Sequence, residues 1–362
     1  MPSTREQLEK VARDVAEKAQ ETEGKLAIAA AGTAATVAAG AGLRKALSRA
    51  DEDDALAGPS SYRLLDEEPV GAGIKRIVLA RVDDALAELH GENGGEPADA
   101  IHEARKDIKK TRSAIRLVRD QLGDDLYRRE NQHYRGIGRG LSDSRDAEVL
   151  VETLDLLCER FGEPVRERYG PLRAHFEQQL QSIREDGSEQ RAMAAACSAL
   201  AEGRGRIETW SLDGDGWQLI GPGLHRTYRR GRKRLRDVEE EPSVTNLHEW
   251  RKRVKDLWYQ LRLIRNAEPE LIGHQIRDAD DLADHLGDDH DLGLLREASA
   301  KWPQGFESAA DQRLLSELID RRRGELRFAA TSLGGRVYRE KPKRYVKALE
   351  QRFRAGRQRE PV

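Results

Sequence analysis

Cysteine is almost absent from this sequence, with Cys158 and Cys197 as its only two. Two cysteines so far apart give no disulfide framework and no metal-ligand spacing, which fits a reducing cytoplasm. Aromatic residues are sparse at 5%, and runs of β-branched residues bounded by turn residues are missing. Strands are normally built from such runs, so their absence favours helices over a sheet.

A net charge is also nearly missing, because 63 lysines and arginines are balanced by 65 aspartates and glutamates to give −2 at pH 7. A molecule so close to neutral is no polycation, and any attraction for an anion must come from segregation of its charges. Charged residues nevertheless reach 35% and hydrophobic residues 38%, which suits long amphipathic helices. A chain of 362 residues can hold one large or two small domains with a real core. We predict an all-α protein.

Long apolar runs are missing except for residues 26–43, which are mainly Ala, Gly and Thr. The run is long enough to span a bilayer but has few of the large apolar residues that favour insertion. It lies in an N-terminal helical segment, residues 1–49, and is interpreted as a loosely packed or oligomerising helix. Attachment to a membrane or granule surface is the weaker alternative. The preceding region is too long and too acidic for a signal peptide, and residues 50–70 are interpreted as an acidic linker.

A cationic stripe runs beside an apolar stripe in the segment 101–119. The apolar positions have helical spacing and are Ile101, Ala104, Ile108, Ile115 and Val118. The basic positions follow one residue later and are Arg105, Lys109, Arg112, Arg116 and Arg119. One residue turns a helix by about 100°, so the cations lie at the edge of the buried face. Like charges at this spacing repel one another, and we therefore interpret the stripe as a surface that meets an anion.

The same design returns near residue 248. His248, Arg251, Lys252, Lys255 and Arg262 stand where His102, Arg105, Lys106, Lys109 and Arg116 stood in the first segment. A second match pairs LSDSRDAEVL, from Leu141, with LGDDHDLGLL, from Leu286. Two matches in the same order indicate an internal duplication, with halves at residues 71–200 and 217–356.

The second copy departs from the first at three positions. Trp258 replaces Arg112 and interrupts the stripe, Tyr259 beside it could supply a hydroxyl, and His290 replaces Arg145. Other basic residues lie in neighbouring predicted helices. The complete set of candidate anion-binding residues is His102, Arg105, Lys106, Lys109, Arg112, Arg116, Arg139, Arg145, Arg226, Arg229, Lys233, His248, Arg251, Lys252, Lys255, Tyr259 and Arg262.

The paired motifs, H-x-x-R-K-x-x-K in a charged helix followed by R-D at the start of a later helix, resemble those of the CHAD domain, a conserved-histidine α-helical domain. The resemblance covers roughly residues 70–356. It implies two helical bundles related by pseudo-twofold symmetry and a basic central groove that binds inorganic polyphosphate. Members of this family often carry a triphosphatase-like domain with alternating glutamates, and no E-x-E-x-K motif occurs here. The expected function is therefore non-catalytic polyphosphate binding, without a metal or cofactor, in the cytoplasm or on polyphosphate granules.

Two other functions remain open at this point. Basic helices also grip nucleic-acid backbones, although the stripes contain few aromatic residues for base stacking and no recognisable reading motif. The segment 274–291 is rich in Asp and His and could hold the metal of a phosphohydrolase. We prefer polyphosphate binding and interpret that segment as capping and solvated acidic residues. Reversing the charges of Arg105 and Lys109 together is expected to abolish binding and to leave the helical content intact.

Overall fold

The computed structural model describes residues 61–94, 96–213 and 216–357, except for the side chains of residues 143–145. The predictions for residues 1–49 and for the side chain of Arg145 lie outside this part. The described residues form thirteen α-helices and no strand, so the all-α prediction is confirmed. The helices are α1 (Val70–His90), α2 (Pro97–Leu117), α3 (Arg119–Leu122), α4 (Asp124–Gly140), α5 (Asp143–Phe161), α6 (Glu163–Arg168), α7 (Gly170–Glu185), α8 (Ser188–Glu208), α9 (Trp217–Glu240), α10 (Val244–Leu263), α11 (Pro269–Ala300), α12 (Ala309–Val337) and α13 (Pro342–Gly356).

Local sequence signals set the ends of several of these helices. Gly91 ends α1 in the left-handed conformation, with φ 74°, a conformation that glycine adopts at little cost. Pro97 occupies the first turn of α2, where its missing N–H is not needed. Ser243 caps α10 by accepting a hydrogen bond of 3.2 Å from the backbone N–H of Asn246. The helix that carries each motif therefore has its own start signal.

The two motif-bearing helices each form an antiparallel hairpin with the helix before them, α1 with α2 and α9 with α10. The hairpins meet where α2 crosses α10. Ser113 Oγ donates a hydrogen bond of 3.2 Å to the carbonyl of Asp256, and Gln260 Nε2 donates one of 3.3 Å to the carbonyl of Ser113. The end of α2 also touches α9, because a Cβ at Gly223 would overlap the carbonyl oxygen of Leu117. The C-terminal parts of α2 and α10 thus lie at the centre of the molecule.

Two hydrophobic cores hold the helices together, and each combines helices of both sequence halves. The larger core is formed by α1, α2, α4, α8, α9, α10 and α13 with parts of α11 and α12. The smaller core joins α5, α6 and α7 to the C-terminal end of α11 and the start of α12. Both cores bury long aliphatic side chains, and burial of such side chains contributes about 1.5–3 kcal/mol each. The two halves are therefore packed as one body.

The end of the predicted acidic linker belongs to this body. Tyr62 and Leu64 are buried, with 2% and 3% of their surface exposed. The backbone N–H of Leu64 donates a hydrogen bond of 2.8 Å to the carbonyl of Leu263, and Glu68 accepts one of 2.9 Å from Arg76 Nε. Residues 61–69 are held in place by burial of apolar side chains and by ion pairing. The linker prediction missed this packing because it was based only on the number of acidic and turn residues.

The repeated segments near Leu141 and Leu286 differ in structure. The first segment contains the break between α4 and α5, as predicted for an R-D motif at the start of a helix. The second lies inside the 32-residue helix α11, so the prediction of a helix start and of capping acids there is wrong. Internal duplication therefore stays a prediction from the sequence. Among the described residues no helix is both long enough and apolar enough to cross a membrane.

Candidate anion-binding site

Arginines from both halves of the chain gather where α2 crosses α10. We define this central basic cluster as Arg112, Arg116, Arg119, Arg135, Arg226, Arg230 and Arg253. Tyr127 on α4 lies among them, and the guanidinium of Arg119 stacks over its ring at 4.7 Å from the centroid. Guanidinium groups on four helices and the short α3 thus share one region of the surface.

Arg112 is a cation of the cluster that the protein partly encloses. Its side chain is half-buried, and its Nε is shielded from solvent and makes no hydrogen bond. Burial, followed by the positive charge of Arg116, lowers the pKa of Arg112 to about 10, and Asp256 only partly offsets this effect. The group is still charged at neutral pH. It is therefore held as a cation in a place where neither solvent nor the protein fully compensates the charge.

Carboxylates neutralise only part of the cluster. Asp256 accepts from Arg116 at 2.7 Å and from Arg253 at 3.1 Å. Asp120 pairs with Arg226, and Asp124 lies 2.9 Å from Arg119. This leaves Arg112, Arg135 and Arg230 without an ion pair in the part of the chain that the structure describes. The arginines exceed the carboxylates, and the excess creates a local positive potential on a nearly neutral protein.

The first predicted stripe divides between this cluster and other roles. Arg112 and Arg116 join the cluster, while Arg105 donates hydrogen bonds of 3.2 Å and 2.6 Å to the carbonyls of Gly138 and Leu141. Those carbonyls end α4, so Arg105 satisfies a helix C-terminus. Reversing its charge would place a carboxylate against them. The prediction that reversal of Arg105 and Lys109 leaves the helical content intact stays untested, and these contacts lead us to expect that reversal of Arg105 destabilises the end of α4.

The remaining residues at the start of the first motif lie near solvent. His102 is half-buried, and Lys109 is exposed. Lys106 pairs with Glu103 at 2.7 Å, and its equivalent Lys252 pairs with Glu249 at 2.6 Å. Such exposed pairs contribute about 0.2–1 kcal/mol and exchange partners readily. Both lysines therefore stay accessible to an anion.

The second predicted stripe faces the protein. Tyr259 and Arg262 each expose only 5% of their surface. The guanidinium of Arg262 lies over the rings of Tyr62 and Trp258 at 5.6 Å and 5.0 Å. Tyr259 and Arg262 are therefore corrected from anion-binding residues to core residues, because Trp258 and the chain preceding α1 cover that face of α10.

Helix α11 covers Arg251 and Lys255 of the second stripe. Lys255 lies 3.9 Å from Asp280 of α11 and stacks over Trp258. Arg251 lies against Gly287 of α11, and its Nε is shielded and makes no hydrogen bond. Arg105, the equivalent of Arg251 in the first stripe, donates to the carbonyls at the C-terminus of α4. Arg251 instead meets the middle of α11, where the backbone carbonyls are used within the helix. The two stripes therefore do not line a shared groove along their whole length, which corrects the basic central groove expected from the family resemblance. The first stripe instead meets Arg253 and α9.

The other candidate residues are spread along α4 and α9. Arg139, Arg229 and Lys233 are exposed, and Arg226 is a member of the central basic cluster. Four members of the cluster were not among the candidates: Arg119, Arg135, Arg230 and Arg253. Arg119 continues the first stripe, and Arg230 belongs to the densest basic run of the sequence. The sequence therefore contained a feature from which each could have been predicted as a site residue. Arg135 and Arg253 had none, because their position depends on how α4 and α10 cross α2.

His248 and His290 form a pair beside Arg251, with ring centroids 4.7 Å apart. Burial, followed by the charges of Lys252, His290 and Arg251, lowers the pKa of His248 to about 4. Burial and Arg251 also lower the pKa of His290. Nδ1 of His248 is shielded and has no hydrogen-bond partner among the residues that the structure describes. Both imidazoles are therefore neutral at physiological pH.

The pKa of His248 predicts a loss of stability on mild acidification. Below its ordinary pKa of 6.5 the unfolded chain takes up a proton that the folded chain refuses until about pH 4. Between pH 7 and pH 5 this costs about 1 kcal/mol, after allowance for solvent near a half-buried ring. Urea unfolding at both pH values should show the wild-type chain losing that much more stability than His248→Gln. Equal losses in the two proteins would contradict the assignment.

The acidic segment 274–291 is occupied by ion pairs. Asp278 lies 3.2 Å from Arg336, and Asp289 lies 3.0 Å from Arg323 and 2.8 Å from Arg327. His274 forms a hydrogen bond of 2.7 Å with Arg277. Within the described residues no group of three or more His, Cys, Asp or Glu side chains is placed to hold a metal ion. Several of these acids therefore join α11 to α12.

The fold and the site together define an all-α protein with a basic surface where its two halves meet. A model of the CHAD domain family matches residues 76–300, and the chain belongs to this family. The fold also matches the crystal structure of the CHAD domain from the plant Ricinus communis, with a TM-score of 0.52 and 16% sequence identity over 83% of this chain and 97% of that chain. At this identity the match shows the fold alone. No curated protein matches the sequence.

Proposed function

We propose that this protein binds inorganic polyphosphate at the central basic cluster and does not hydrolyse it. Membership of the CHAD family supports the choice of ligand. The observation that carries the proposal is Arg112, a half-buried cation with a shielded, unpaired Nε among other arginines. A bound polyanion would supply the negative charge that this place lacks. Attachment to polyphosphate granules would follow from the same affinity.

The geometry suits a linear polyanion with closely spaced charges. Arginine binds phosphate oxygens in two-point fashion, and the cluster presents several guanidinium groups that successive phosphates can engage. Arg112 and Arg116 come from one half of the chain, and Arg230 and Arg253 come from the other. A ligand that bridges these residues would also link α2 to α9 and α10. Binding should release counterions and weaken steeply with salt.

Binding without turnover fits the charges of segment 274–291. The phosphohydrolase alternative would use these carboxylates as metal ligands, but Asp278, Asp280 and Asp289 face arginines or a lysine of neighbouring helices. An arginine or lysine that is ion-paired with a carboxylate competes with a metal ion for that carboxylate. The basic residues of the cluster, in contrast, are arranged to attract an anion.

A binding titration tests the proposal. The purified chain is titrated into end-labelled long-chain polyphosphate at several salt concentrations, with duplex DNA as competitor at equal phosphate concentration. We expect saturable binding, a linear fall of log K with log salt, and retention of polyphosphate against DNA. Displacement by DNA would favour the nucleic-acid alternative. Release of orthophosphate in Mg²⁺ or Mn²⁺, lost in His290→Ala, would instead establish a phosphohydrolase.

A further inference from the structure

A second basic surface lies between α9 and α13, outside the predicted motifs. The two helices enclose an open cleft of about 770 Å³. Its lining includes Trp217, Pro222 and Val346 together with basic side chains from both helices. Pro222 lies within α9 and cannot donate a backbone hydrogen bond there. The packing of α9 on α13 does not by itself explain why the cleft is there.

The cations of the cleft are largely unpaired. Arg229 on α9 and Lys343 and Lys347 on α13 line the cleft and are exposed. None of the three makes an ion pair or hydrogen bond with another described residue. The two lining carboxylates are paired with two lining arginines, Asp120 with Arg226 and Glu350 with Arg354 at 2.7 Å. Arg229, Lys343 and Lys347 thus line one open volume and have no ion pair of their own with any residue that the structure describes.

The pKa of His225 is sensitive to the positive charges that line the cleft. It lies on α9 one helical turn before Arg229 and lines the same volume. Burial, followed by the charges of Arg229, Lys343 and Arg226, lowers its pKa. The cations of both helices are therefore close enough to act on one imidazole, which shows that they share a region.

The cleft adjoins the central basic cluster through Arg226. This residue lines the cleft, and its charge also lowers the pKa of Arg230 in the cluster. From Arg230 back to Pro222 the axis of α9 rises about 12 Å, and from Lys343 to Arg354 the axis of α13 rises about 16 Å. The cleft therefore begins about two helical turns of α9 from Arg230, with Arg226 and its partner Asp120 between them.

We infer that the cleft between α9 and α13 is a second segment of the polyphosphate-binding surface, reached only by chains that extend beyond the central basic cluster. This inference rests on the proposed function and adds chain-length selectivity to it. The outer phosphates are bound by Lys343 and Lys347 as point charges and by Arg229 through two hydrogen bonds. Short chains bind at the cluster alone, and long chains bind both segments at once and therefore more tightly.

The test compares ligand lengths in variants of the full chain. Lys343→Gln/Lys347→Gln removes two unpaired surface charges, and the matched control Lys301→Gln/Arg313→Gln removes two exposed cations around the loop between α11 and α12. Long-chain polyphosphate should bind the cleft variant about tenfold more weakly at 0.1 M salt, with a salt slope lower by about 1.4. Tripolyphosphate should bind it as tightly as wild type. The control should bind both ligands as wild type does.

The outcomes separate this inference from the proposed function. Wild-type affinity of the cleft variant for long chains overturns the inference, while loss of both ligands in Arg112→Gln still supports binding at the cluster. Equal losses for tripolyphosphate and long chains in the cleft variant also overturn it, because the cleft would then be the primary site. Failure of the wild-type chain to bind any polyphosphate overturns both proposals. Unchanged helical content and unfolding midpoint in the variant show that it is folded.

Discussion

Arg112→Glu/Arg230→Glu should bind long-chain polyphosphate at least about a hundredfold more weakly than the wild-type chain. Charge-assisted hydrogen bonds contribute about 1.5–3 kcal/mol each, and loss of two of them exceeds the roughly 2.7 kcal/mol that corresponds to a factor of one hundred. Neither arginine has a carboxylate partner among the described residues. Reversal should therefore break no ion pair and should relieve repulsion within the cluster. Fluorescence anisotropy with labelled polyphosphate measures the affinity.

Unfolding and a matched variant accompany this measurement. The double variant should unfold in urea at or above the wild-type midpoint, since repulsion between the remaining arginines is reduced. Lys301→Glu/Arg313→Glu changes the net charge equally, away from the cluster, and should lose little affinity. If this control loses as much affinity as Arg112→Glu/Arg230→Glu, the attraction is a property of net charge and the site assignment is wrong.

Asp256→Asn should change stability and affinity in opposite directions. Asp256 exposes 7% of its surface and serves two half-buried arginines, Arg116 and Arg253. Removal of its charge leaves both uncompensated, and breaking a buried ion pair costs about 3–5 kcal/mol. The same change makes the cluster more positive, so its affinity for polyphosphate should rise several-fold. Urea unfolding with and without polyphosphate measures both effects, and the ligand should restore much of the lost stability.

Asp311→Asn is the matched control for this prediction. Asp311 exposes 4% of its surface and pairs with Arg168 in the smaller hydrophobic core. Its substitution should lower the free energy of unfolding in a similar way and leave the polyphosphate affinity at the wild-type value. A fall in affinity for Asp256→Asn, or an equal rise for Asp311→Asn, would show that Asp256 is not the carboxylate that competes with the ligand.

The helices and their apolar faces could be predicted from the sequence because helical spacing is a local property. The positions Ile101, Ala104, Ile108 and Ile115 are all buried, as the spacing indicates. The adjacent cations therefore had to lie at the edge of the core. Spacing does not say which neighbour covers that edge, and this is why Arg105 and Arg262 were assigned to the site. One ends α4, and the other is covered by Tyr62 and Trp258.

The composition of the central basic cluster could not be predicted in the same way. Arg253 lies next to Arg251 and Lys255 in the sequence but on another face of α10, where it meets Asp256 and the end of α2. Arg135 belongs to a different helix from the motif. Their assembly depends on the crossing of α2 and α10 near Ser113, which is a contact between residues far apart in the chain.

The all-α class, the family and the segregation of cations could be predicted because periodicity and motif spacing are properties of neighbouring residues. Which of these cations are available to a ligand depends on how the helices pack. Arg112, Arg135 and Arg230 have no carboxylate partner in the described part of the chain, while Arg116, Arg226 and Arg105 are engaged by groups from other helices. The physical reason is that the effective charge of a side chain depends on the partners that folding brings within hydrogen-bonding distance, and those partners come from distant parts of the chain.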